Sequence, residues 1–233
     1  MKLLVISMCS KEKARTAPQL LTIGDFAQGP DHVAQREPAL QELMLPAAEF
    51  YLGKQHQRLM SGINRILQIP TSGIELDHWI LSAGYGLIRS QHLVAPYDCT
   101  FCGMSKPELR HWAEHLHVPT DASRVLGGKY DFGLVLLAKE YLEACQLSED
   151  GAYGGKLLFL CCQTVARKLP QTEQVRAMAL TNVESAKFRC SSVIIKGELA
   201  NRILDGVLAK PALVSEYPSS NSWQTFFRTG RFS

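Results

Sequence analysis

No apolar run in this chain approaches the length of a membrane span. Its N-terminus has one lysine and a short apolar stretch that leads straight into charges, without the pattern of a cleavable signal. Together these absences predict a soluble, cytoplasmic protein. Paired metal-ligand spacing is also missing. Cys99 and Cys102 form a lone C-x-x-C among seven cysteines, with no second pair beside it and no thioredoxin-like context. An odd count in a cytosolic chain predicts reduced thiols, most of them small core residues, with no zinc and no disulfide. His111, His115 and His117 have no further ligand in view and read as surface histidines. A large charge excess is absent too. The net charge of +3 permits nucleic-acid binding without demanding it, so any basic groove must come from local clustering. There is no internal repeat and no sharp domain boundary; the polar segment Gln146–Gly155 is the softest candidate for a linker.

What is present supports one well-filled domain. The 233 residues are 46% hydrophobic, enough for a full core and contrary to disorder. Near-continuous apolar runs at Lys2–Met8, Ile74–Leu81, Asp131–Ala138 and Lys156–Cys162 predict buried strands of a mostly parallel sheet covered on both faces by helices. Val175–Leu180 is a fifth candidate, and Ser191–Ile195 is another β-branched run. Helical periodicity covers Glu42–Gln68. A second helix is expected over Ser105–Leu116, capped by Ser105 with Glu108 at the third helical position. A third follows Lys196-Gly197-Glu198 through Leu208, and Ala14–Pro38 reads as a long loop. The expected architecture is a single three-layer α/β domain over residues 1–210, followed by an aromatic and basic tail over 211–233. That tail interleaves Trp223, Phe226, Phe227 and Phe232 with Arg228 and Arg231. A base-stacking, phosphate-touching segment has this composition, and so does a tail docked on the core.

Two of the strands break abruptly. Met8 gives way to Cys9-Ser10-Lys11-Glu12-Lys13, and Leu81 to Ser82-Ala83-Gly84-Tyr85-Gly86. Parallel strands ending on one edge build a pocket there. Pro96-Tyr97-Asp98 then offers a phenol and a carboxylate beside a stiff proline. Ser10, Lys13, Ser82, Tyr85, Tyr97 and Asp98 are therefore expected to converge on one cleft. Lys196, before a helix, is a further candidate anion contact. For each residue the ordinary alternative is a turn cap, a core tyrosine or a solvated lysine.

The residues Cys9-Ser10-Lys11-x-Lys13, Pro46-Ala47-x-x-Phe50-Tyr51, Leu81 to Ile88 and Pro96-Tyr97-Asp98, with Met104 behind, form a recognisable set. Over roughly the first 145 residues the chain resembles the peroxide-stress-protein-like (YaaA-like) family of uncharacterised bacterial domains. A fainter likeness runs to an accessory domain of archaeosine-tRNA enzymes. Members of the YaaA-like family spend fewer residues between the first two motifs than the Ala14–Pro46 stretch here. The resemblance implies an α/β fold with a cleft, and a topology similar to the uracil-DNA-glycosylase-type sheet. It also implies a link to nucleic acid, through DNA protection under oxidative stress or modified-base metabolism.

Three functions are open on this basis. The first is a glycosylase-like hydrolase cleaving the N-glycosidic bond of a base, modified more readily than natural, in DNA ahead of RNA. Asp98, Lys13 and Tyr85 would then be catalytic: Asp98 positions water or stabilises an oxocarbenium-like sugar, Tyr85 or Tyr97 stacks on the base, and Lys13 is a candidate nucleophile. Cys9, Ser10, Lys11, Ser82, Gly84, Gly86, Tyr97, Lys196, Arg228 and Arg231 would bind the strand. The second is a DNA-binding stress or defence protein without chemistry. The third is a nucleoside- or nucleotide-processing enzyme. None of the three requires a metal or cofactor.

Overall fold

The computed structural model describes residues 1–232. A six-stranded sheet organises the chain. Its strands in chain order are β1 (Lys2–Met8), β2 (Glu75–Ser82), β3 (Gly86–Arg89), β4 (Phe132–Val135), β5 (Lys156–Cys161) and β6 (Val175–Ala179). They lie side by side as β6-β5-β4-β1-β2-β3. Every neighbouring pair is parallel except β2 and β3, which form an antiparallel hairpin at one edge.

Alternation along β1 explains the layers. Leu3 and Val5 face one hydrophobic core, Leu4 and Ile6 the other. A strand buried on both faces must read as an unbroken apolar run, as KLLVISM does. The Leu3 side is covered by two long helices, α1 (Lys54–Leu67) and α5 (Ile195–Ala209). Helix α1 turns Leu59, Ile63 and Ile66 inward at helical spacing. Gly197 permits a close crossing: a Cβ there would lie 2.1 Å from the Gln55 carbonyl oxygen. Arg65 adds an ion pair to Asp205 at 2.6 Å. The Leu4 side is covered by α2 (Lys106–His115), α3 (Val118–Leu126), α4 (Lys139–Ala144) and the long excursion between β1 and α1. Helix α2 starts as the sequence predicts, with the Glu108 carboxylate accepting from the Ser105 N–H at 2.8 Å.

The single α/β domain with a mostly parallel sheet is thus present, and several boundaries move. The run Asp131–Ala138 pairs as a strand only over Phe132–Val135. Ser191–Ile195 is no strand: the Ser191 carbonyl accepts from the N–H groups of Ile194 and Ile195 and opens α5. Glu42–Gln68 is not one helix. Leu45–Pro46 pairs with Leu93–Val94, and Tyr51 bridges to Lys13, before α1 begins at Lys54. The Ala14–Pro38 stretch is not a bare loop. It contains the helices Ile23–Ala27 and Pro30–Arg36, tied together by an Arg36–Asp25 ion pair of 2.8 Å.

The tail docks on the core. Trp223 and Phe226 are fully buried within helix α6 (Asn221–Thr229), so their rings are not available for stacking on bases. The Trp223 Nε1–H donates to the Leu213 carbonyl at 2.7 Å, and its ring packs on Tyr217 and Phe132. Residues 211–232 therefore belong to the domain and not to a separate appendage. Among the described residues, no helix is long and apolar enough to cross a membrane.

Candidate functional site

The chain leaves β1 for β2 on one side, then returns past β1 to β4 on the other. Connections after β1 and β4 diverge at such a switch point and leave a crevice outside the carboxyl ends of the strands. Here the crevice is a cleft of about 1080 Å³. Its walls come from the loop after β1, the start of α1, the Pro96–Thr100 segment and Ala138 and Tyr141 after β4.

The loop after β1 is fixed by short-range bonds. The Ser10 hydroxyl donates to the Glu12 carbonyl at 2.7 Å and accepts from the Gly53 N–H at 3.0 Å, pinning the loop to the start of α1. Cys9 is buried, with its thiol 3.0 Å from the Tyr141 hydroxyl. The Lys13 ammonium donates to the Tyr97 carbonyl at 2.7 Å and sits 4.2 Å from the centre of the Tyr97 ring. Burial pushes the Lys13 pKa down, opposed by the nearby Cys9, Asp98 and Cys99.

Tyr97 and Asp98 are placed by a short parallel pairing with Leu21–Thr22. Successive residues of a strand point to opposite sides, so one is buried and the next exposed. The Tyr97 hydroxyl closes a buried chain with Tyr51 at 2.8 Å and Ser82 at 2.9 Å. Asp98 instead meets the cleft as an exposed carboxylate without a hydrogen bond or ion pair among the described residues. Lys11, Arg15 and Lys54 also line the cleft, and none is committed to a carboxylate of the protein. The cleft thus carries four cations against the carboxylates of Glu12 and Asp98.

Of the expected set, Cys9, Ser10, Lys11, Lys13, Tyr97 and Asp98 meet in this cleft. Ser82, Gly84, Tyr85 and Gly86 do not line it. They form the β2–β3 hairpin turn, which the Ile23–Ala27 helix covers. A Cβ on Gly84 would lie 2.6 Å from the Phe26 ring. The Ser82 hydroxyl instead accepts from the N–H groups of Gly84 and Tyr85 at 3.2 and 3.1 Å. Tyr85 has a framework role. Its hydroxyl donates to Glu37 and accepts from the Ala95 N–H, both at 3.0 Å, and its ring packs edge-on to Phe26. Tyr85→Phe is expected to cost about 1–2 kcal/mol of stability, because the buried Ala95 N–H loses its acceptor. Any activity of the cleft should stay within about twofold; a loss above tenfold in a folded variant would return Tyr85 to the site.

Lys196 is likewise occupied, its ammonium donating to the Leu137 carbonyl at 2.6 Å at the end of β4. Arg228 and Arg231 are exposed but belong to the tail, outside this cleft. Cys99 is buried with its thiol on the Ala83 carbonyl at 3.0 Å, which raises its pKa to about 12 through desolvation, whereas Cys102 is exposed. Among the described residues, no group of three or more His, Cys, Asp or Glu side chains is arranged to hold a metal ion. The contribution of Arg15 was not legible in sequence. Arg15 sits in an ordinary polar stretch; only the fold brings it to the rim.

A buried histidine pair runs inward from the cleft, whose lining includes His56. His56 and His78 stack at 6.4 Å, and the His78 Nε2 is 3.0 Å from the Ser7 hydroxyl. Desolvation, with His56 beside it, lowers the His78 pKa from 6.5 to about 3. The folded state therefore keeps this imidazole neutral while the unfolded chain protonates it. Its contribution is complete above the unfolded pKa and is lost as pH falls from about 6.5 toward 3. Between pH 7 and 4.5 this amounts to about 2–3 kcal/mol. Urea unfolding at the two pH values should show that loss, reduced in His78→Gln; an unchanged pH dependence in the variant would refute it.

A model of the Family of unknown function (DUF6884) matches residues 39–152, just under half of the chain. The matched span includes Tyr51, the start of α1, Pro96–Cys102 and Tyr141, but not the loop after β1. No curated protein matches the chain.

Proposed function

We propose that the cleft takes a nucleotide of a nucleic-acid strand and that the protein hydrolyses its N-glycosidic bond. The observation that carries this reading is Asp98: an exposed carboxylate with no hydrogen bond or ion pair among the described residues, held at the cleft surface beside the half-buried Lys13. Water attacks the sugar C1′ as the C–N bond breaks. The electron pair of that bond leaves with the base nitrogen, which takes up a proton from solvent, and the attacking water gives its proton to Asp98, which returns it to solvent. The products are a free base and an abasic sugar bearing a 1′-hydroxyl. Lys11, Arg15 and Lys54 suit the flanking phosphates. The resemblance to YaaA-like domains supports the same direction, toward DNA ahead of RNA and modified bases ahead of natural ones.

Tyr97 serves differently from a stacking platform. The Lys13 ammonium lies over its ring and Phe50 stacks parallel to it at 6.2 Å, so its task is to hold Lys13 in place. Lys13 in turn suits charge stabilisation: its hydrogen bond to the Tyr97 carbonyl fixes the position of its amino group in the cleft.

The test is incubation with DNA and RNA containing natural and modified bases, read by mass spectrometry for released base and by abasic-site cleavage for the sugar product. Equal amounts of both are expected. Tight binding with no released base would leave a binding protein. Release from free nucleotides alone would point to a nucleotide-processing enzyme.

A further inference from the structure

A second charged pocket lies away from the cleft. It measures about 410 Å³ and is lined by Lys187, Phe188, Arg189, Arg202, Thr229 and Arg231, four cations with no acidic residue in the lining. Two of the cations have structural work. Arg202 pairs with Glu198 at 2.9 Å and donates to the Phe188 carbonyl at 3.1 Å, while Lys187 donates to the Phe227 carbonyl at 3.1 Å. The guanidinium groups of Arg189 and Arg231 are exposed and make no hydrogen bond or ion pair with the described residues. Arg189 also takes a left-handed backbone conformation, φ 54°, just past the helix Asn182–Lys187. Glycine is the usual occupant of that position, so an arginine there needs a reason other than backbone economy.

Topology relates this pocket to the cleft. The segment bearing Lys187 and Arg189 leaves the carboxyl end of β6 and returns through α5, so it starts from the same sheet edge as the cleft. The strands that lead into the two sites, β1 and β6, lie three strand spacings of about 4.8 Å apart, a lateral offset on the order of 14 Å. A single nucleotide bound in the cleft does not span that distance, whereas a strand of a few nucleotides does.

We propose that this pocket holds a backbone phosphate of the same nucleic-acid strand whose nucleotide enters the cleft. The inference rests on reading the cleft as a nucleotide site, and it makes the substrate a polymer in place of a free nucleotide. Two free guanidinium groups on a shallow, solvent-open site suit phosphate oxygens of a chain, which need charge and forked donors but no enclosure. Lys187 donates to the Phe227 carbonyl and Arg202 to the Gly230 carbonyl at 3.4 Å, which hold Arg231 beside Arg189, so docking of the tail is what assembles the pocket.

The experiment compares the full chain with Arg189→Ala/Arg231→Ala, both positions being exposed, after checking that melting temperatures agree. Fluorescein-labelled 15-mers of single-stranded DNA, duplex DNA and RNA are titrated from 50 to 300 mM NaCl by anisotropy. Competition with inorganic phosphate and with a deoxynucleoside monophosphate separates strand binding from a free anion site. For the preferred strand, roughly tenfold weaker binding is expected in the double variant, with a salt slope shallower by about 0.7 for one lost phosphate contact on a single strand. Monophosphate binding should be unchanged. Equal affinity and slope in the two proteins, or no 15-mer bound by the wild type, would overturn the proposal. Pocket-dependent strand binding without base release would instead refute the chemistry proposed for the cleft and leave this site standing. Base release insensitive to the double variant would do the reverse.

Discussion

Asp98→Asn is expected to lower base release by on the order of a hundredfold or more, the usual span for loss of a general acid–base group. Melting temperature should stay within a degree or two. The side chain makes no hydrogen bond or ion pair among the described residues, so the substitution removes charge from the cleft without breaking a hydrogen bond. The backbone pairing of Asp98 with Thr22 is indifferent to the change. Strand affinity should be retained or slightly improved, since an anion leaves a cleft lined by four cations. A second signature follows from the charge of Asp98 beside Lys13. Burial lowers the Lys13 pKa, and Asp98 is one of the groups holding it up. A lysine that must be charged sets an alkaline limb, so activity should fall at lower pH than an ordinary lysine would give. In Asp98→Asn, the residual rate should show that limb moved lower still. A folded variant with full turnover would remove Asp98 from the mechanism and leave Glu12 as the carboxylate of the cleft to test.

The sheet was legible because its strands are buried on both faces. Runs such as KLLVISM and KLLFLC admit few other readings in a chain of this length. The cleft was half legible for a related reason. Cys9 to Lys13 follow β1 directly and reach the carboxyl edge, where topology then places a crevice. The same reasoning failed for Ser82 to Gly86. A strand ending in small residues has the same signature whether the chain opens a pocket or turns into a hairpin, and here Gly86–Arg89 pairs back on β2. What decides between the two is the Ile23–Ala27 helix laid over the turn, a contact between segments about sixty residues apart that local pattern does not encode. Tyr97 illustrates a subtler limit. Its place beside the cleft was foreseen, but its working face is taken by Lys13 and its hydroxyl by Tyr51 and Ser82. Arg15 was invisible because an exposed cation in a polar stretch carries no pattern of its own.

Trp223→Ala is expected to destabilise the whole domain by about 3–5 kcal/mol, the usual cost of emptying a fully buried tryptophan site. For a chain of this size that lowers the melting temperature by on the order of 10 °C. Two costs combine. The ring is fully buried against Tyr217, Phe132 and Phe232, so its removal leaves a cavity that three aromatic neighbours cannot readily close. The Leu213 carbonyl also loses the indole N–H that it accepts at 2.7 Å. Phe132 is the decisive neighbour because it begins β4, at the centre of the sheet, and connects the tail to the strand whose far end borders the cleft. The loss should therefore appear in one cooperative transition and not as an early melt of the last residues. Trp223→Phe, which keeps most of the volume and gives up the N–H, should cost only about 1–2 kcal/mol. If Trp223→Ala instead leaves the main transition in place and only frees residues 211–232 to protease, the tail is an appendage. The basic pocket at Arg189 and Arg231, which depends on the tail's docking, would then lose its foundation as well.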